Sequence, residues 1–493
     1  MDSLLLLCAR WLVAHYPLPP VPDDLYPVLF RAAFLDGRPQ VLWDLVAKWP
    51  FPDLTFQKMV GSRELLQDHS KLCIRSVVGA AAEQLRLDLE QPGCDSRRCC
   101  LRTLDMTGLP DGRSGRSGTV ALAKACLELS KHRRESREFQ KRGAKRHRGR
   151  SGRAAAAPCS SSLDAHADFF VNDVSYRILR DALRSGNAGP LRLKCREFRA
   201  EKLSADKVAK LLKSLDPCGV RRVELRFSIL ELISVFLVVL SLSKFPDLRS
   251  LRLQYSKEDA WGKMPRWPPD MQDFVEELGY LPSLRELQLG SFSFSGNLRQ
   301  FLGKLQAPLE SLELPFCSLL PEDFAFLSQS FHAPALKRLD LSGHDFSQTL
   351  LQHLRDLLEK ASASLLHLDL MECRLTDSHL DSLLASLRRC SRLRCLRLFG
   401  NSLSTAALKE FLRESTALPA LRLLGYPIPA DCYLPKRYPR RCGSRWVLER
   451  RLDPYCWEAA SAELRRILES SGRSDVVWTH DPYGHGAPDY FSL

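Results

Sequence analysis

The chain has 493 residues, 45% hydrophobic and 26% charged, with 16 Cys and a formal charge of +14. Those figures are ordinary for a globular protein and exclude a chain disordered throughout, a collagen and a disulfide scaffold. Length alone suggests about three domains, a prior that repeat architectures override.

The opening segment MDSLLLLCARWL carries an acid at Asp2 and a base at Arg10 inside its apolar run. A secretory signal wants the positive charge first and a longer clean core. No Asn stands in an N-x-Ser/Thr sequon. The longest apolar stretch, residues 232–242, is too short for a ~30 Å hydrocarbon core and fits a buried helix. The expectation is therefore a cytoplasmic protein with free thiols, with a nuclear pool left open by the basic run discussed below.

Residues 3–16 read as a helix that Pro17 ends. Leu4, Cys8 and Leu12 stand at i, i+4 and i+8 on one drifting face, flanked by Leu5, Leu7 and Trp11. Such a stripe suits docking into a partner's groove, and equally suits packing on its own domain. Ser3, Leu4, Cys8 and Leu12 match the pattern S-L-x-x-x-C-x-x-x-φ, which resembles the box that binds elongin C. Val21, Pro22 and Leu25, followed by Leu29, resemble the box by which such receptors select cullin-2. Each pattern is degenerate alone; their order, ahead of a repeat domain, makes the pair more specific.

The positive charge is concentrated. Residues 131–153 hold eleven Lys/Arg and two Glu, so nine of the fourteen excess charges lie there. With one aromatic and no apolar period, followed by a small-residue tract, the segment reads as a disordered insert over 126–165. It fits a solvated linker, a nuclear-import signal carried by Lys141, Arg142, Lys145, Arg146 and Arg148, or non-specific attraction to nucleic acid. Base-specific reading would need a folded element to aim side chains, so nucleic acid is the least favoured partner.

The second half repeats. The template L-x-x-L-x-L begins at positions 220, 248, 284, 309, 336, 365, 393 and 421, with steps of 28, 36, 25, 27, 29, 28 and 28. An opening copy is Leu191-Leu193-Cys195. Cys317, His344, Cys373 and Asn401 stand three places after the last Leu of their copies, where the chain must turn and a side chain can satisfy backbone groups. Alternating Leu predicts short strands; runs such as Leu350, Leu351, Leu354, Leu357 and Leu358 predict helices between them. Strand plus helix at ~28 residues is a leucine-rich repeat, an α/β solenoid that curves into a horseshoe because helices are wider than strands. The long step contains SKEDAWGKMPRWPPD, a predicted rim loop. Inward Leu residues build the scaffold. A protein substrate would meet the polar strand positions, among them Arg338, Asp340, His367, Asp369, Arg394, Cys395 and Arg397.

The expected domains are a helical N-terminal region (1–125), the basic insert (126–165), the repeats (166–425) and a capping region (426–493). There is no phosphate loop, no H-E-x-x-H, no G-x-S-x-G and no C-x-x-C, and the cluster Cys94, Cys99 and Cys100 has no second pair at zinc spacing. No catalytic residue, cofactor or metal is assigned.

Several stretches together carry a resemblance: VPDDLYPVLFRAAFLDGR (21–38), VAKWPFPDLTF (46–56), LRTLDMTGL (101–109), LESLELPFCSLLPEDFAFLSQS (309–330), LKRLDLSGHDFS (336–347) and YPIPADCY (426–433). They resemble the family of the preferentially expressed antigen in melanoma over nearly the whole chain, except at the basic insert. The resemblance implies a non-enzymatic substrate receptor of cullin-2 ubiquitin ligases. Ser3, Leu4, Cys8 and Leu12 would then hold elongin C, and Val21, Pro22 and Leu25 the cullin. It also implies an alternative, restraint of NF-κB signalling by binding the inhibitor-of-κB kinase without ubiquitin transfer.

Overall fold

A computed structural model describes residues 3–60, 70–90, 100–109, 118–146, 162–186, 189–227, 238, 240–255, 276, 278–291, 294, 296–346, 348–415, 418–434, 451–473 and 475–481. The chain divides into two units, Met1–Phe227 with Leu237–Leu248, and Ser228–Phe236 with Arg249–Leu493.

The first unit opens with α1 (Leu4–Ala14), α2 (Tyr26–Leu35) and α3 (Pro39–Ala47), followed by β1 (Asp53–Thr55), α4 (Phe56–Met59), α5 (Ser70–Glu90) and β2 (Thr103–Met106). Then come α6 (Gly118–Arg146), β3 (Leu163–Val171), α7 (Asp173–Gly186), β4 (Leu191–Glu201), α8 (Ala205–Ser214) and β5 (Arg222–Phe227). The five strands pair in chain order, each parallel to the next. Parallel strands need crossovers, and α5, α6, α7 and α8 lie in these connections. Aromatic rings fasten the opening helices to the sheet. Trp49, with no exposed surface, meets Phe30 and Phe51 edge-on and donates from Nε1 to the Asp53 carbonyl at 3.1 Å. Phe56 meets Phe30 and Phe34 in the same way. Helix α5 comes close to α3 at Gly79, where an added Cβ would lie 2.5 Å from the Trp43 ring.

The second unit holds β6 (Ser250–Tyr255), β7 (Glu286–Gly290), α9 (Leu298–Leu302), β8 (Ser311–Glu313), α10 (Pro321–Gln329), β9 (Arg338–Asp340), α11 (Gln348–Ala361) and β10 (His367–Asp369). It continues with α12 (Asp377–Arg389), β11 (Cys395–Arg397), α13 (Thr405–Ser415), β12 (Leu423–Gly425), α14 (Pro454–Ser470) and β13 (Val477–Thr479). All eight strands pair in chain order and parallel. The fold is the leucine-rich repeat solenoid. The template residues Leu309, Leu312, Leu314, Leu336, Leu339, Leu341, Leu393, Leu396 and Leu398 have no exposed surface. Removing such side chains from water is the main favourable term, about 1.5–3 kcal/mol each.

The turn positions work as their chemistry allows. Asn401 is 2% exposed; its Oδ1 accepts from the Cys373 and Leu375 N–H groups at 3.0 Å, and its Nδ2 donates to the Leu370 and Leu398 carbonyls at 2.8 Å. The Cys317 and Cys373 thiols donate to the carbonyls of Leu289 (3.0 Å) and Leu341 (3.2 Å), one repeat back. His344 reaches the Leu341 carbonyl from Nδ1 at 2.7 Å. Gly343 sits at φ +79° against the Phe316 ring, where any Cβ would be strained and would clash.

The N-terminal region is helical, as expected, and it also carries β1 and β2, which belong to the same parallel sheet as β3. Leu54 of β1, Phe56 just past its end, and Leu104 and Met106 of β2 are buried, so Phe and Met replace the Leu that marks later copies. The boundary at residue 125 falls inside α6, and the insert is helical through Arg146. The first half of α6 buries Val120, Ala123, Cys126 and Leu129, an i, i+3, i+6, i+9 stripe, and the helix continues beyond it. Lys141, Arg142, Lys145 and Arg146 lie in the last turns of that helix, and Arg148 lies outside the described residues. The predicted rim loop also lies outside them, as does most of the 232–242 stretch; Val238 and Leu242 are buried. No described helix is long and apolar enough to cross a membrane.

Candidate protein-interaction surfaces

Helix α1 begins at Ser3, whose hydroxyl caps it by accepting the Leu6 N–H at 3.3 Å. Leu6, Ala9 and Val13 are buried on the side that lies against α2. Arg10 is tied to Asp36, just past the end of α2, at 2.6 and 2.8 Å. The orientation of α1 is therefore set by one face plus an ion pair. The other face is apolar and open: Leu4 is 78% exposed, Trp11 62%, and Leu5, Leu7 and Cys8 are exposed beside them. The helix thus packs on its own domain through one face and leaves the other exposed. Leu4 and Cys8 point outward. Leu12 is half-buried, because each step of four residues drifts about 40° around a 3.6-residue helix.

Val21 and Leu25 are half-buried and Pro22 is exposed. Pro22 leads into a single 3-10 turn, Asp23–Leu25, closed by the Leu25 N–H on the Pro22 carbonyl at 3.1 Å. Ser3, Leu4, Cys8 and Leu12 thus share α1, while Val21, Pro22 and Leu25 form the short segment that enters α2.

The strand face of the second unit carries two rows of side chains. The registers align Ser250, Glu286, Ser311, Arg338, His367, Cys395 and Leu423 in one row, and Arg252, Gln288, Glu313, Asp340, Asp369, Arg397 and Gly425 in the next. Charges of both signs alternate across them. Arg252 lies 3.8 Å from Glu286 and 4.0 Å from Glu313. Arg338 lies 3.5 Å from Glu313, and Arg397 3.2 Å from Asp369. Ser342 Oγ donates to Asp369 at 3.0 Å.

Burial on this face disturbs protonation. Desolvation, then the Asp369 and Glu313 carboxylates, push the Asp340 carboxyl up to about 7, against hydrogen bonds from Ser342. Desolvation also raises Asp369, with Arg397 pulling the other way. His367 is pushed down to about 4 by burial and by Arg338, Arg397 and Arg394, which keeps it neutral near pH 7. Burial lifts the Cys395 thiol to about 11, so it is no thiolate nucleophile. The early contributors Arg252, Glu286, Gln288 and Glu313 were not singled out from sequence, although they occupy the same positions between Leu residues as those that were.

A measurable pH effect follows from Asp340. Its folded-state pKa lies above the unfolded value of ~3.9, so its contribution to stability is full below that value and is lost as pH rises through about 7. Asp340→Asn keeps the acceptor for the Ser342 N–H, now at 2.8 Å, and removes the charge. The variant should melt higher than wild type at pH 8, and that difference should vanish by pH 4. A difference independent of pH would contradict the assignment.

Two family models match the chain: the PRAME C-terminal domain over residues 187–438 and the PRAME N-terminal domain over residues 9–106. The chain is 42% identical to "Leucine-rich repeat-containing protein 14" of Xenopus laevis and 40% identical to the Homo sapiens protein of that name, in each case over 100% of both chains. Among solved structures it is similar to a chain of "Crystal structure of Rad7 and Elc1 complex in yeast", with 13% identity and a TM-score of 0.41, covering 90% of this chain and 97% of that one.

Proposed function

The chain belongs to the PRAME family of leucine-rich repeat proteins, and from that premise we propose that it is a non-enzymatic adaptor, the substrate receptor of a cullin-2 ubiquitin ligase. In this reading α1 inserts its outer face into elongin C, the Val21, Pro22 and Leu25 segment meets cullin-2, and the strand face of the second unit grips the substrate. The observation that carries it is the division of α1. A helix already anchored by Leu6, Ala9 and Val13 still leaves Leu4, Cys8 and Trp11 uncovered at i, i+4 and i+7. That arrangement is the apolar anchor set of a helix received in a groove. Large exposed apolar side chains grouped on one helix mark interaction surfaces more often than scattered ones do.

The strand face supports the substrate half of the reading. Its charges are mostly matched within the face, so a partner must supply its own complementary pattern to replace the pairs it desolvates, which favours selectivity over raw affinity.

The test is co-purification of elongin C with the full chain and with Leu4→Ala/Cys8→Ala. Truncating two exposed anchors should cut recovery at least tenfold while leaving the melting temperature unchanged. Equal recovery from both proteins would reject the box.

A further inference from the structure

Two thiols in the capping region touch. Cys432 closes the 3-10 turn Ala430–Cys432 and has no exposed surface. Cys456 lies in the first turn of α14 and is half-buried. Their Sγ atoms are 3.1 Å apart. Ordinary non-bonded contacts between heavy atoms fall near 3.5–4.0 Å, and a disulfide needs ~2.05 Å, so about 1 Å of approach remains.

The backbone holds both thiols in place. The Asp453 N–H donates to the Cys432 carbonyl at 2.8 Å, and the Leu434 N–H to the Arg451 carbonyl at 2.9 Å. Tyr433 and Leu452 form an antiparallel bridge between these bonds. The chain leaves at Leu434, returns at Arg451 and arrives back beside its own departure. Asp453 caps α14 by accepting the N–H groups of Tyr455 and Cys456 at 3.0 and 3.2 Å, which fixes where the Cys456 side chain starts.

We propose that Cys432 and Cys456 are a modification site, a thiol pair that hydrogen peroxide converts to a reversible disulfide. Cys456, the accessible partner, reacts first. Its thiolate attacks one peroxide oxygen, the O–O bond breaks, and Cys456 becomes a sulfenic acid as hydroxide leaves and is protonated to water. The Cys432 sulfur then attacks the Cys456 sulfur. The S–S bond forms, the S–O bond breaks, and the departing hydroxide takes the Cys432 thiol proton as a second water. Two electrons from the two sulfurs reduce one hydrogen peroxide, and a dithiol reductant reverses the change. The order of events matches the environments: burial, and the Cys456 sulfur beside it, push the Cys432 thiol up, so it remains protonated until its neighbour has been oxidised.

The bond would clip α14 to the turn that follows β12, at the end of the repeat array. Terminal repeats have a neighbour on one side only, so an array frays from its ends. Helix α14 packs on α13, with Lys409 paired to Glu463, and β13 completes the sheet beyond β12. Closing the loop between residues 432 and 456 restricts the unfolded cap and stabilises this end. In a reducing compartment the bond is transient, which suits a signal and not a permanent staple.

The experiment treats the purified full chain with hydrogen peroxide and maps peptides without reduction. The expected product joins the peptides carrying Cys432 and Cys456, lighter by two hydrogens and separated again by dithiothreitol. Cys442→Ser should retain that product, and Cys456→Ser should lose it. The oxidised wild type should melt roughly 3–6 °C higher than the reduced protein, with no such rise in Cys456→Ser. A product joining either cysteine to Cys442 would overturn the proposal. So would oxidation of the exposed Cys8 and Cys218 while Cys432 and Cys456 stay free thiols. The readout on Cys456→Ser does not depend on whether a substitution at the fully buried Cys432 folds.

Discussion

Asn401→Ala should lower the stability of the second unit by roughly 3–4 kcal/mol, among the largest losses available to a single polar side chain in this protein. The reason is in the count of backbone groups it serves. One amide group satisfies two N–H donors and two carbonyl acceptors, drawn from its own repeat and the one before, at 2.8–3.0 Å. Alanine would leave those four groups unpaired where only 2% of the side chain reaches solvent. Asn401→Asp should cost at least as much, since it loses both donors and sets a buried carboxylate against the Leu370 and Leu398 carbonyls. Cys373→Ala should cost much less, since a thiol is a weak donor and the Cys373 sulfur reaches few partners. Urea unfolding of the three variants checks the ranking. A loss below about 1 kcal/mol for Asn401→Ala would show that the turns are held by leucine packing alone.

That ranking also explains what the sequence could and could not disclose. The turn positions are visible because Cys317, His344, Cys373 and Asn401 all stand at the same distance from the leucines. Strands β6 to β12 were legible for the same reason. Strands β1 to β3 were not. Their buried side chains are Leu54 with Phe56 just after it, Leu104 and Met106, then Ala165, Ala167 and Phe169, and α5 and α6 intervene at lengths that break the 28-residue step. The physics of burial accepts any apolar group of suitable volume, whereas a pattern search accepts leucine. The basic run misled in the opposite sense. Its composition resembles a disordered tract, yet its first part continues a helix already anchored by Val120, Ala123, Cys126 and Leu129. Once a helix is nucleated, Lys, Arg and Glu extend it readily, and the Lys131–Glu135 pair at 3.9 Å has the spacing that helps.

On the strand face the candidate residues were legible and their states were not. Alternation places Asp340, His367 and Asp369 between leucines, but nothing in one strand reveals that the register sets Asp340 beside both Glu313 and Asp369. Protonation depends on neighbours that are ~28 residues away in sequence and one strand spacing, ~4.8 Å, away in space. The same holds for Cys432 and Cys456, which no local pattern links.

Val13→Asp should separate the two faces of α1 most sharply. Val13 is 1% exposed on the face against α2. Burying an unpaired charge, or unseating the helix to avoid it, costs about 3 kcal/mol or more. The variant should therefore lose both thermal stability and elongin C recovery. Leu4→Asp introduces the same charge where the side chain is 78% exposed, so its melting temperature should match wild type, while recovery falls at least a hundredfold if an apolar groove receives that position. The comparison isolates the claim. If both variants lose recovery but only Val13→Asp loses stability, the outer face is the contact and the inner face its support. If Leu4→Asp retains recovery, the exposed leucines of α1 serve some other contact and the elongin assignment fails. If Val13→Asp is as stable as wild type, the inner face is not what holds α1, and the Arg10–Asp36 ion pair must orient the helix alone. A partly exposed ion pair is worth about 1 kcal/mol or less, too little to fix a helix by itself, so the apolar contacts of Leu6, Ala9 and Val13 have to supply the rest.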